Sequence, residues 1–255
     1  MKGKLRELMA WELQDNWSFP ILEIVIAITI IQVVPFTTIL INEPTLLFNF
    51  VRTFFESMFF VIIISAAIVC GKSFASGIEE RKLVLLLSYP PSRSKVFLAK
   101  YLTNFLMLFL IFGSALLVEG ASLFLFFSGA IQLIIWAFMF LYLFLAVFLT
   151  SSLMTIIALA VKRFGLSVLV FLIFMFGIEY SIPVNVYDPT YYLTLKMGPQ
   201  GGVGYATAWY AHLLGLPSSS WVRLECFTVA TSYLLIGGLA FLLGSLLIMK
   251  KLDLD

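Results

Sequence analysis

"SGIEERKLVLLLSYPPSRSKVFLAK", residues 76–100, interrupts a chain that is otherwise strongly apolar. Ser76 and Glu79 have the spacing of a capping box, which predicts a helix starting at Ser76 with its first amide groups satisfied. Glu79 and Glu80 then fall in the first turn, where the helix dipole favours negative charge. Ile78, Leu83, Leu86 and Leu87 share roughly one face of that helix, and Val84 and Leu85 widen it. Pro90 and Pro91 end it and force an extended exit. Ser92 or Ser94 then caps the next helix, whose first turns carry Arg93, Lys95 and Lys100. The stretch therefore reads as a short amphipathic helix followed by an elbow, an ordered element where an irregular loop is the plainer connector.

What lies on either side fixes its setting. Of the 255 residues, 62% are hydrophobic and 12% charged, about half the charge of an ordinary soluble domain. Apolar runs long enough to cross about 30 Å of hydrocarbon recur along the chain. Expected spans are Pro20 to Ile41, Asn49 to Gly71, Val96 to Val118, one drawn from the 43-residue apolar run Glu119 to Val161, Gly165 to Ile182, and Cys226 to Met249. Residues 1–18 place Leu5, Leu8, Met9 and Glu12 at helical spacing behind Lys2, Lys4 and Arg6, the pattern of a helix lying in the membrane interface. Glu7, Glu12 and Asp15 interrupt that segment, which argues against a signal peptide.

Charge distribution orients these spans. Thirteen of the 16 Lys and Arg fall in the N-terminal segment, between Gly71 and Tyr101, at Lys162 and Arg163, and at Lys250 and Lys251. With six spans all of these lie on one side, which the positive-inside rule makes the cytoplasm, together with both termini. Splitting 119–161 into two full spans sends the last four basic residues outside. Six spans is the expectation, with an apolar outer turn around Gly120 to Ala130.

Several stretches that resemble catalytic motifs lack their context. "CGKS" at residues 70–73 looks like the end of a phosphate-binding loop, but Ala66 stands where the first glycine is required and an apolar helix precedes it. Lys72 then reads as the end of a helix at the cytoplasmic surface. The single histidine, His212, has no second histidine for a shared metal, and "GPQGGVGY" at 198–205 lacks a strand-turn-helix setting. Cys70 and Cys226 fit no zinc spacing and fall near opposite faces. The net charge of +2 gives no reason to expect nucleic acid as a partner. Polar residues inside the spans are the candidates for a translocation path: Gln32, Arg52, Glu56, Asn104 and Glu179, with Gln132 and Thr150 to Ser152 as further deep polar positions. Arg52 and Glu56 are an i, i+4 pair able to neutralise each other. For any one of the deep polar residues taken singly, hydrogen bonding between packed helices is the favoured reading over substrate contact.

"EERKLVLLLSYPPSRSKVFLAKYL" resembles the segment between the second and third spans of type 2 permeases of ABC transporters. In that family an acidic pair, a leucine-rich run, Ser-x-Pro and Ser-Arg precede a lysine that opens the next span. Glu79, Glu80, Leu85, Leu86, Leu87, Ser88, Pro90, Ser92, Arg93 and Lys100 match. A Gly-Thr pair often precedes the leucines in the family, and Arg81 and Lys82 stand there instead. The resemblance extends to the layout of the whole chain. It implies an all-α polytopic permease with six transmembrane helices, a connecting helix over 1–18, a coupling helix within 76–95, and short outer re-entrant helices over 181–225. It implies further that Glu79, Glu80, Arg81, Lys82, Tyr89, Pro90 and Arg93 meet a separate ATP-binding subunit. ATP and Mg would be bound in that partner, and no cofactor in this chain. A second permease copy or paralogue would complete the path, in the plasma membrane. The aromatic and aliphatic composition suits an amphipathic or lipid-like substrate. A stand-alone secondary transporter or channel is the alternative, against which stands the lack of a carboxylate relay across the spans. An intramembrane enzyme would need clustered Asp, His or Glu near one interface, which the sequence does not offer.

Overall fold

The computed structural model describes residues 2–16, 23, 26–27, 30, 60–88, 92–126, 131–181 and 224–251. Among the described residues every regular element is helical. These are α1 (Lys2–Asn16), α2 (Phe60–Glu79), α3 (Lys82–Ser88), α4 (Arg93–Phe126), α5 (Ile131–Val161), α6 (Phe164–Ser181) and α7 (Leu224–Lys251). Four stretches are long and apolar enough to cross a bilayer: Phe60–Glu79, Arg93–Val118, Leu143–Val161 and Leu234–Lys251; Phe164–Met175 of α6 is a shorter apolar helix. The described residues are those of an all-helical membrane protein. Of the expected first span, Glu23, Ile26, Ala27 and Ile30 are helical, and its remainder lies outside the described residues.

Between helices in lipid, shape decides packing because the tails are as apolar as leucine. The core forms where α2, α4 and α5 meet, around Ile63, Phe74, Phe97, Leu108, Phe112, Met154 and Ala158. Phe97, Tyr101, Phe105 and Phe109 repeat every four residues on α4, so their rings stack along one face with centroids 6.1, 6.3 and 6.0 Å apart. Phe144 and Phe148 of α5 meet Phe105 edge-on at 5.2 and 6.2 Å, the arrangement that ring quadrupoles favour. Helix α7 lies along α5, and α1 packs on α4. Gly238 of α7 lets the two helices close up, since a Cβ there would sit 2.4 Å from the Phe148 ring. Leu110, Leu117, Ile173, Ile236, Leu243 and Leu247 are exposed on the outer surface, as lipid contact requires.

Three expectations from the sequence are corrected. No helix starts at Ser76. Instead α2 runs through it to Glu79, passing a π-helical turn at Lys72–Ser76. Ser76 has helical dihedrals, and its hydroxyl donates to Glu80, one turn ahead, rather than capping an amide. Lys72 accordingly lies within a helix and not at its end. Finally, α4 continues past Val118 through Gly120 to Phe126, and α5 begins at Ile131, so helix occupies most of the expected outer turn. Ala121 to Phe126 contains no residue that breaks a helix, and one glycine at 120 costs only about 1 kcal/mol. At 34 residues α4 is about 51 Å long, well beyond the hydrocarbon thickness.

Candidate functional site

The charged ends of the helices gather at one end of the bundle, and side-chain contacts tie them together. Arg93 donates to the Lys250 carbonyl at 3.0 Å, which joins the start of α4 to the last turn of α7 and places a cation where the dipole favours one. The Glu79 carboxylate accepts from the Phe164 amide at 3.1 Å, satisfying a donor in the first turn of α6. Only Lys162 and Arg163 separate α5 from α6. Lys162 makes that turn with φ +60 while its amide still reaches the Ala158 carbonyl at 3.0 Å, the left-handed ending usually given to glycine. Gly71 lies alongside, where a Cβ would stand 2.8 Å from the Met154 methyl.

Within this cluster, Glu12 of α1 is buried at 1% exposure and Lys100 of α4 at 6%. Their charged groups meet at 2.6 Å. The π-helical turn of α2 supplies the rest of the network: Ser73 donates its hydroxyl to Glu12, and its carbonyl accepts from Lys100 at 3.3 Å. A π-turn displaces the regular i to i−4 bonding, and here it brings the backbone and side chain of Ser73 to the ion pair. Lys100 also stands 6.0 Å from the centre of the Trp11 ring, within cation–π range. Three helices are thus fastened at one buried point.

Beyond it the chain turns sharply. Arg81 adopts φ +59 between α2 and α3. Its amide donates to the Ile78 carbonyl at 3.0 Å, and its carbonyl accepts the Leu85 amide at 3.0 Å, so one residue ends one helix and begins the next. Leu83 of α3 is buried and Leu86 half-buried, whereas Leu85 is 63% exposed. Glu79, Glu80, Arg81 and Lys82 are all exposed. Lys82 pairs with Glu80 at 2.7 Å, an exposed contact of small energetic weight. The hydrogen bond from Lys82, helped by that from Ser76, holds the Glu80 carboxyl below the usual range and keeps it ionised.

Of the residues singled out in the sequence, Glu79, Glu80, Arg81, Lys82 and Arg93 come together at this end. Glu79 and Arg93 spend part of their hydrogen-bonding capacity inside the chain. Tyr89 and Pro90 lie outside the described residues, as do Gln32, Arg52 and Glu56. Asn104 is fully buried in α4. Glu179 falls in the last turn of α6, and its side chain lies outside the described residues. The buried trio of Glu12, Ser73 and Lys100 escaped sequence reasoning. A signal was present: Glu12 shares the helical register of Leu5, Leu8 and Met9, and an acid on an apolar face calls for a buried partner. Among the described residues no three of His, Cys, Asp and Glu gather as metal ligands would. The chain matches no protein-family model and no curated protein.

Proposed function

We propose that this chain is the membrane-spanning permease subunit of an ATP-driven exporter of the ABC type 2 class. In this reading it has six spans with both termini in the cytoplasm, works in the plasma membrane, and pairs with a second permease copy or paralogue. A separate subunit binds ATP and Mg, and α3 is the helix that subunit pushes. One observation carries the proposal. At the gathered, basic end of the bundle, a short helix is set off from a span by a turn at Glu80 and left-handed Arg81, and Arg81, Lys82 and Leu85 are exposed there. The left-handed residue is Arg81, the position at which the resembling family often has glycine, the residue best suited to that conformation. The departure in sequence therefore falls where the backbone geometry of a glycine is kept.

Exposed Arg81, just before α3, and Leu85 within it make the cleanest test, since Arg93→Glu also breaks the contact to Lys250. Leu85→Glu and Arg81→Glu should leave the chain folded but weaken co-purification with a P-loop subunit encoded beside it by tenfold or more. Substrate-stimulated ATPase of the complex should fall in parallel. Unaltered binding and ATPase in both variants reject the coupling role. Transport that persists with no ATP-binding subunit present points to the stand-alone transporter instead.

A further inference from the structure

We infer that Glu79 is a positioning residue that carries a displacement of α3 to the start of α6. The inference rests on the exporter reading and adds to it the helix that responds and the contact that moves it. By resemblance alone, Glu79 faces the ATP-binding subunit. In the structure its carboxylate is used within the chain, where it accepts from the Phe164 amide at 3.1 Å. Glu79 is the last helical residue before the turn into α3, and that turn is closely bonded. Ser76 donates to Glu80 at 2.6 Å, Glu80 pairs with Lys82 at 2.7 Å, and the Arg81 amide and carbonyl close bonds of 3.0 Å on either side. Leu83 of α3 is buried, and a Cβ at Gly77 would meet its side chain at 3.7 Å. The end of α2 and α3 therefore move as one body, with Glu79 on its rim.

On the receiving side, Phe164 is the first residue of α6 and is gripped twice. Glu79 holds its amide, and its ring lies against Gly71, where a Cβ would stand 3.1 Å from it. The Arg163 carbonyl accepts the Ser167 amide at 2.9 Å, so α6 is regular helix from its first turn. A displacement at Phe164 is passed along a helix and not absorbed in a loop. The bracing of the other helices explains why α6 is the one to yield. Glu12, Ser73 and Lys100 fasten α1, α2 and α4 to one another at a buried point. Helix α6 rests chiefly on α5 and the π-turn, and Leu166, Leu169, Val170, Ile173 and Phe174 are exposed on its other face. Close-packed interiors transmit strain and deform little, so the helix with an open face takes up the movement.

The full chain would be assembled with the P-loop subunit encoded beside it, as wild type and as Glu79→Ala, Glu79→Gln and Leu85→Glu. Backbone hydrogen exchange is followed in peptides covering 82–88 and 164–170, with and without a non-hydrolysable ATP analogue. In the wild-type complex the analogue should change exchange in both. Glu79→Ala, at an exposed position, should still bind the subunit with wild-type affinity and keep the response at 82–88. It should lose most of the response at 164–170, and substrate-stimulated ATPase should fall with it. Glu79→Gln keeps an acceptor oxygen and should keep both responses. A purely structural cap would shift exchange at 164–170 equally with and without the analogue, so the change on adding it is the readout. The inference is overturned if 164–170 never responds in wild type, or responds as fully in Glu79→Ala. It is overturned too if Glu79→Ala loses the subunit as Leu85→Glu should, which makes Glu79 a contact to the partner. If Leu85→Glu keeps the subunit bound, it is the coupling role of α3 that fails, and the inference falls with it.

Discussion

Glu12 and Lys100 are the residues whose chemistry is least replaceable. With Glu12 at 1% and Lys100 at 6% exposure, each neutralises a charge that water cannot reach. Glu12→Gln leaves the ammonium without its counter-charge, and Lys100→Met leaves the carboxylate; breaking such a pair costs about 3–5 kcal/mol. Replacing both at once removes the charges together and should recover most of that loss. Thermal midpoints in detergent for the two single variants and the double variant close the cycle, and simple additivity sinks the idea that the pair acts as a unit. A second residue-scale expectation concerns Lys162, whose φ of +60 is a conformation that costs a non-glycine residue about 1–2 kcal/mol. Lys162→Gly should raise the midpoint and Lys162→Val lower it. No change in either direction removes the argument from backbone strain. Neither site was legible from local pattern alone. A left-handed Lys has no sequence signature, and Glu12 declares itself only when its place on an apolar face is taken as a demand for a distant partner.

At the scale of elements, and among the described residues, the sequence located the long apolar helices and the ends of α6 and α7 to within two residues, but misplaced the end of α2 and the turn after α4. Apolar runs and the Lys162-Arg163 link were readable because breaking a long apolar helix needs a polar or glycine-proline signal. The join of α2 to α3 was misread because Ser76 has two uses for one hydroxyl: a cap for an amide, or a bond to Glu80 at i+4 within a continuing helix. The structure shows the second, at 2.6 Å. The π-turn that carries Ser73 to the ion pair answers to a tertiary contact, so nothing local could announce it. The packing of α7 on α5 gives the prediction for this scale. Gly238→Ala drives a methyl group into the Phe148 ring, which is held by Phe105 and Phe144. It should destabilise by about 1–3 kcal/mol, with partial rescue by Phe148→Leu. Gly165→Ala, where a Cβ meets nothing within 4 Å, should instead gain up to about 1 kcal/mol. Equal effects of the two alanines on the unfolding midpoint contradict the close approach.

For the whole molecule, charge counting along the sequence gathered the basic residues on one side, and the described helices bring those of 72–100, Lys162, Arg163, Lys250 and Lys251 to one end. That agreement follows from physics common to both: an ammonium group is costly in hydrocarbon, so basic residues collect where helices leave it. Their gathering is also mechanical. Glu79 reaches α6, Arg93 reaches α7, and Lys100 reaches α1 and α2, so this end is cross-braced by side chains, while α3 is joined to α2 through Arg81. Sidedness can be measured directly. Cys70 is buried, so after Cys226→Ser a single new cysteine becomes the reporter for a membrane-impermeant maleimide. Lys95→Cys, Arg163→Cys and Lys251→Cys should all label from the same face of intact or inverted vesicles, and that face should be the cytoplasmic one. Because Lys95 lies in the first turn of α4, Arg163 between α5 and α6, and Lys251 at the end of α7, labelling from one face requires α4 to leave that face and α5 and α7 both to run back to it. If Arg163→Cys or Lys251→Cys labels from the face opposite Lys95→Cys, the helices do not share this end, and the cross-bracing by Glu79 and Arg93 cannot exist in the membrane.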